Sequence, residues 1–92
     1  NEPGYYKQGE YGIRIENLIV VEERQIPGAE RTIYGFETIT WCPYERALIE
    51  KSMLDAGEIA WIDAYHAKVW EKLSPQVEGE AKLWLEAACR PL

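Results

Sequence analysis

The sequence predicts an α+β chain, a short antiparallel sheet followed by a pair of helices. Three observations carry this. The runs from Ile13 to Val21 and from Thr32 to Trp41 are β-prone and alternating, and Pro27-Gly28 lies between them as a turn signal. Pro43, which has no N–H for a ladder, ends the sheet. Beyond residue 55 the apolar period lengthens to helical spacing in Ile59, Ile62, Tyr65, Val69 and Leu73.

Taken in order, Tyr5-Tyr6 extends a first short strand that carries Glu2 toward Glu16, with Lys7 to Glu10 as its loop. Alternation along the next run puts Arg14, Glu16, Leu18 and Val20 on one face and Ile13, Ile15, Ile19 and Val21 on the other. The expectation is a carboxylate buried among apolar neighbours. Such a group is costly unless a cation, a metal or several hydrogen bonds compensate it, and Arg14 is two positions away on the same face. An ordinary solvated Arg/Glu pair is the alternative reading of the same spacing. Pro27-Gly28 suits the centre of a type II turn, so the two β-prone runs form an antiparallel pair.

Residues 44–54 hold no more than a short turn or a single helical turn. Asp55 with Glu58 three residues later matches a capping box and starts the first helix. Ser74-Pro75 reads as the cap and first position of a second helix, with Val77, Ala81, Trp84 and Ala88 as its inner face and Pro91 as its stop. Trp61 and Trp70 are expected near one side of the first helix, off its Ile/Val stripe. That gives the helix apolar surface on more than one face, used either for packing within a longer chain or as a subunit interface.

Ninety-two residues imply one small domain. The net charge of −6 divides evenly, −3 from residues 1–44 (seven acidic, four basic) and −3 from 45–92 (nine acidic, six basic). With no cationic stripe, neither nucleic acid nor an anionic membrane surface is the expected partner. No apolar run approaches the roughly 20 residues that span a bilayer, and no signal-peptide pattern is present. Cys42 and Cys89 lack metal-type spacing and read as reduced thiols of a cytoplasmic protein. His66, the one histidine, reads as a packed or hydrogen-bonded side chain, because no second His stands at helical spacing.

The opening residues carry more. Asn1-Glu2-Pro3-Gly4-Tyr5-Tyr6, then a short Gly-containing loop, then Gly12-Ile13-Arg14-Ile15-Glu16-Asn17, resembles the last two metal-ligand segments of the pita-bread metallopeptidases, specifically the Xaa-Pro aminopeptidases. Phe36 to Thr40 through Cys42-Pro43, Trp61 to His66, and Trp84-Leu85 resemble the extra carboxy-terminal segment of the larger members. That tail would be unexpected in a prolidase-like relative. The resemblance implies residues 1–43 as the end of a pita-bread catalytic domain and 44–92 as a helical extension. It implies two divalent metals, commonly manganese, held by two Asp, one His and two Glu in chain order, of which Glu2 and Glu16 match the last two.

By the same resemblance Glu2 is a ligand and the general base toward the attacking water, Glu16 bridges both metals, and Arg14 and Tyr6 orient ligands by hydrogen bonding. Substrates would be peptides with proline in second position, and the helical segment would mediate homodimerisation. With three of five ligands outside it, the chain alone is expected to be inactive and to bind no metal tightly. A non-catalytic binding or dimerisation module on the same scaffold is the alternative.

Overall fold

A computed structural model describes residues 1–92, which divide into two compact units, Asn1–Thr40 and Trp41–Leu92. The first unit is all β. Strand β1 (Gly4–Lys7) pairs antiparallel with β2 (Tyr11–Arg14), and β3 (Ile19–Arg24) pairs antiparallel with β4 (Ile33–Thr38). Each hairpin contains a turn that needs a glycine. Gly9 has φ 74° where Glu10 N–H closes onto Lys7 O, and Gly28 has φ 79° where Ala29 N–H closes onto Ile26 O. Both are the third position of a type II turn, which an L side chain resists, and Pro27 presets the position before Gly28 as expected.

The run from Ile13 to Val21 is not one two-faced strand with a buried side. At residues 15–18 it changes partner: Asn17 exchanges bonds with Asn1, whereas Leu18 donates to Thr40 Oγ1 at 2.8 Å and accepts from Ile39 N–H at 3.0 Å. Each half of the run has one neighbouring strand, and nothing in this unit lies over either face. Tyr5, Tyr6, Ile13, Leu18, Val21, Tyr34 and Phe36 are exposed, and the unit's one buried residue is the polar Asn17. Glu16 is therefore exposed, not buried among apolar neighbours. Every buried hydrophobic side chain lies in the second unit.

That unit opens with two single turns of 3-10 helix, Arg46–Leu48 and Lys51–Met53, each started by a glutamate (Glu45, Glu50) that accepts a backbone N–H. Helix α1 (Ala56–Leu73) starts in the predicted capping box: Asp55 accepts Glu58 N–H at 2.8 Å while Glu58 accepts Asp55 N–H at 3.0 Å. Ser74-Pro75-Gln76 then forms a 3-10 turn rather than a helix start, and α2 is the shorter Gly79–Ala88. The cause is Val77, which is extended (φ −128°, ψ 153°) and packs on the core, so the helix begins only at Gly79, whose φ of 56° suits glycine. The inner face shifts accordingly. Leu85 and Cys89 are buried and Ala88 half-buried, whereas Ala81 is exposed and Trp84 is 63% exposed.

The core is Tyr65, Val69, Leu85 and Cys89, with Trp41, Tyr44, Trp70, Leu73 and Val77 packed around it. Tyr65 is its hub. Its ring stacks on Trp61 at 5.7 Å, Trp41 at 5.8 Å and Tyr44 at 4.8 Å, while its hydroxyl donates to Cys42 O and accepts Cys42 N–H. Trp61 and Trp70 do not share a side of α1. Nine residues at 100° each is two and a half turns, which puts the two on opposite sides, so Trp70 packs on the core while Trp61, 54% exposed, leans on Tyr44 and Tyr65. The last three residues are gripped through their main chain: Arg46 donates to Arg90 O and Pro91 O, Lys51 to Leu92 O, and Asp63 accepts Leu92 N–H. Both cysteines are free thiols, and burial raises the pKa of Cys89.

His66 is fully buried and structural, as expected. Its Nε2 accepts Tyr44 N–H at 3.0 Å, so the neutral ring carries its proton on Nδ1, which has no partner within the chain. An unsatisfied buried donor costs about 1–3 kcal/mol. Burial lowers the pKa of His66, Arg46 lowers it further, and Asp63 raises it in part. Because the folded pKa lies below the unfolded value, the unfolded state takes up the proton first as pH falls. His66 thus removes stability from this unit as pH drops below about 6.5. His66→Gln, which can still accept Tyr44 N–H, is expected to flatten that loss. Urea unfolding followed by tryptophan fluorescence at pH 8, 6.5 and 5 checks this, and parallel pH dependences for the two proteins would exclude His66 as the cause.

Candidate metal-ligand face

The β1/β2 register builds the candidate site. Gly4 is opposite Arg14, Tyr5 opposite Ile13, Tyr6 opposite Gly12 and Lys7 opposite Tyr11. The ladder runs on past the strand ends, because Ile15 N–H donates to Pro3 O at 3.1 Å and Asn17 N–H to Asn1 O at 3.2 Å. Continuing the same register puts Glu2 opposite Glu16. Asn1 and Asn17 exchange bonds in both directions, so they form a hydrogen-bonded pair and Glu2/Glu16 a non-hydrogen-bonded one. Side chains of non-hydrogen-bonded pairs lie closest together. By alternation Glu2/Glu16, Gly4/Arg14 and Tyr6/Gly12 occupy one face of the hairpin, with Tyr5, Tyr11, Ile13 and Ile15 on the other.

Two carboxylates directly opposite each other repel. Arg14 answers both, with Nη1 3.3 Å from Glu2 Oε1 and Nε 3.5 Å from Glu16 Oε2. All three side chains are about half exposed or more, so each ion pair is screened and contributes no more than about 1 kcal/mol. One oxygen of each carboxylate remains unengaged. An open depression of about 390 Å³, lined by Asn1, Glu2, Glu16, Asn17, Leu18 and Thr40, lies beside them. The structure thus brings Glu2, Glu16 and Arg14 together, with Tyr6 one pair further along the same face. Trp61 and Trp70 belong to the other unit and take no part. Asn1 and Asn17, which set the depth of the ladder at the carboxylates, carry no separate signal in the sequence beyond standing beside each Glu.

As a donor set, two opposed carboxylates suit a hard, oxygen-preferring divalent cation such as Mg²⁺ or Mn²⁺. They do not complete a coordination shell. Nowhere in the chain do three or more His, Cys, Asp or Glu side chains gather into a metal-binding group.

Residues 32–92 match the family described as the C-terminal region of peptidase M24. The whole chain is 42% identical to a probable Xaa-Pro aminopeptidase P of Laccaria bicolor, of which it covers 15%, and 43% identical to aminopeptidase P2 of Arabidopsis thaliana, of which it covers 13%. The chain therefore spans about one seventh of the length of these relatives. Its structure superposes with TM-score 0.78 on the crystal structure of X-prolyl aminopeptidase from Caenorhabditis elegans, described as a cytosolic enzyme with a di-nuclear active site. That match is 33% identical and covers 99% of this chain and 15% of that one.

If Arg14 is what lets the carboxylates face each other, Arg14→Met leaves their repulsion unanswered and the end of the ladder frays. Amide exchange at Ile15 and Asn17 is expected to quicken in the variant, and more at low salt than at high. Unchanged exchange at both amides would show that the ion pairs contribute nothing to holding the pair in register.

Proposed function

The chain belongs to the C-terminal region of the peptidase M24 family, and on that premise we propose that it supplies the closing segment of a two-metal aminopeptidase. The reaction is hydrolysis of the bond between an N-terminal residue and a following proline. Residues 1–43 close the catalytic domain and contribute Glu2 and Glu16 as metal ligands, and residues 44–92 form the extension. The observation that carries this is the register that sets the two carboxylates opposite each other, with Arg14 reaching both.

The exposed apolar faces of the first unit support it independently. Two hairpins without a buried hydrophobic residue do not hold themselves together, since an isolated hairpin is at best marginally stable. They need the rest of a larger domain over them. The chain alone is on this reading inactive, because two carboxylates are a partial ligand set.

Paired divalent cations, manganese in our proposal, would lower the pKa of the attacking water and stabilise the oxyanion of the tetrahedral intermediate. Glu2 would serve as a ligand and as the base that accepts the proton of the attacking water and passes it to the leaving amine of proline. Glu16 would serve as the second carboxylate ligand. Arg14 bonds to both carboxylates and fixes their orientation, and Tyr6 walls the same face.

We further infer a cytoplasmic enzyme that is a homodimer through the 44–92 segment, with the exposed Trp61 in the contact. Support for the location is the cytosolic description of the nematode structure. Support for the contact is the exposure of large apolar side chains in this segment, the aromatic, half-exposed Trp61 and Met53 among them.

In the longer protein that carries this chain, Glu16→Gln and Glu2→Gln are each expected to lower turnover of an Xaa-Pro peptide about a hundredfold or more, with circular dichroism unchanged. Metal content measured alongside separates loss of ligation from loss of the base. Near-normal turnover in either variant refutes the assignment. Gel filtration with light scattering, with and without residues 45–92, tests the dimer. A soluble truncation that keeps its dimeric mass moves the contact elsewhere.

A further inference from the structure

We propose that Gly12, with Gly4, is a positioning residue for the carboxylate pair, because the bare backbone at these two positions leaves room for the Tyr6 ring and the Arg14 stem on the face that carries Glu2 and Glu16. A Cβ on Gly12 would fall 2.7 Å from Tyr6 Cδ1 and 2.9 Å from Cε1. A Cβ on Gly4 would fall 2.7 Å from Arg14 Cγ, 2.9 Å from Ile13 O and 3.3 Å from Tyr6 Cε2. Carbon atoms pack at about 3.5–4.0 Å, so both places are already filled. The Tyr6 ring extends over Gly12 along one edge and reaches Gly4 with the other, and the Arg14 stem also lies against Gly4. Tyr6 and Gly4 together form the wall along which Arg14 runs to the two carboxylates.

Backbone conformation does not account for either glycine. Neither has a positive φ, so alanine is conformationally allowed at both and would reduce the entropy of the unfolded chain. Glycine within a strand weakens it and marks a close approach, and here the approaching groups are Tyr6 and Arg14. The two positions differ in what must yield. At Gly12 the obstacle is the far side of an aromatic ring that can rotate away; at Gly4 it includes the backbone oxygen of Ile13, so the strands themselves would have to move. Gly12→Ala is therefore the cleaner probe. It turns Tyr6 off the face and leaves Arg14 without its wall.

The consequence for activity rests on the reading of Glu2 and Glu16 as ligands, but the packing does not. Glycine-selective NMR on the longer protein that carries this chain tests the packing, since the first unit needs the rest of its domain over it. The Gly4 α-protons are expected to carry a ring-current shift from Tyr6 that Tyr6→Leu abolishes, Tyr6→Phe keeps, and Gly12→Ala abolishes although the ring is still present. If Gly12→Ala alone disrupts the hairpin, the double variant Tyr6→Leu/Gly12→Ala is expected to restore it, since the space is then vacated. A Gly4 shift that survives Gly12→Ala in a folded chain overturns the proposal, as does a double variant no better folded than the single.

In the longer enzyme, displacing a residue that orients ligands is expected to cost about 10–100-fold in metal affinity or activity. Gly12→Ala should show this loss in the wild-type background and none further beside Tyr6→Leu. Additive losses overturn the link through Tyr6. Expected shifts in the chain combined with an active Glu16→Gln enzyme leave the glycine assignment standing and remove the functional reading.

Discussion

The pairing of Gly4 with Arg14 fixes everything that makes the first unit a candidate site. From that one register, Glu2 faces Glu16, both fall in a non-hydrogen-bonded pair, and Arg14 lies one pair away on their face. A slip by one residue on either strand would send one carboxylate to the opposite face. Two local devices hold the register. The turn at Gly9 sets the offset at one end, and the reciprocal bonds of Asn1 and Asn17 close the other. Pro3 sits at a hydrogen-bonding position and cannot donate, so the ladder near the carboxylates leans on its neighbours. Electrostatics then works within a geometry set by the backbone; the ion pairs of Arg14 are too exposed to set it themselves.

The two units obtain their order differently. Residues 41–92 have an ordinary core in which one side chain, Tyr65, joins the segment before the helix to the helix itself through two ring contacts and two bonds to Cys42. Burial raises the pKa of its phenol, which keeps the proton it donates to Cys42 O. His66 adds a second tie one residue later, through Tyr44 N–H. Residues 1–40 have ladders and turns but no buried hydrophobic side chain, and their apolar faces are open. A chain of this size divided so has its self-sufficient structure in the half without the carboxylates.

How much of this was legible in the sequence follows from how local each cause is. The type II turn at Pro27-Gly28, the antiparallel pair around it, the capping box at Asp55 and Glu58 and the helical stripe after it all come from neighbouring residues, and all are present. The core role of His66 was legible too, from the lack of any partner at ligand spacing. The phase of the second helix was not. Ser74-Pro75 is a sound start signal, but Val77 is drawn to the core in extended form, and tertiary packing moves both the start and the buried face by several residues. The burial of Glu16 failed for a related reason: alternation says which residues share a face, and cannot say whether anything lies over it. Trp61 and Trp70 fall on opposite sides of α1 because nine residues make two and a half turns.

At the candidate site the sequence singles out two carboxylates without the relation between them. Fourteen residues separate Glu2 from Glu16, which by itself says nothing of distance; the hairpin turns that separation into direct opposition. Its apparent cost, two like charges brought together on an open surface, is a reason to read the arrangement functionally. A structural hairpin would gain by placing a neutral or basic residue at one of the two positions, since like charges directly opposite destabilise a strand pair. Here the repulsion is retained and offset in part by a single arginine that reaches both, leaving one oxygen of each carboxylate uncommitted. A divalent cation would remove the repulsion and use those oxygens, so the charge pattern that weakens this hairpin by itself is the pattern that would favour it once metal and the remaining ligands are present.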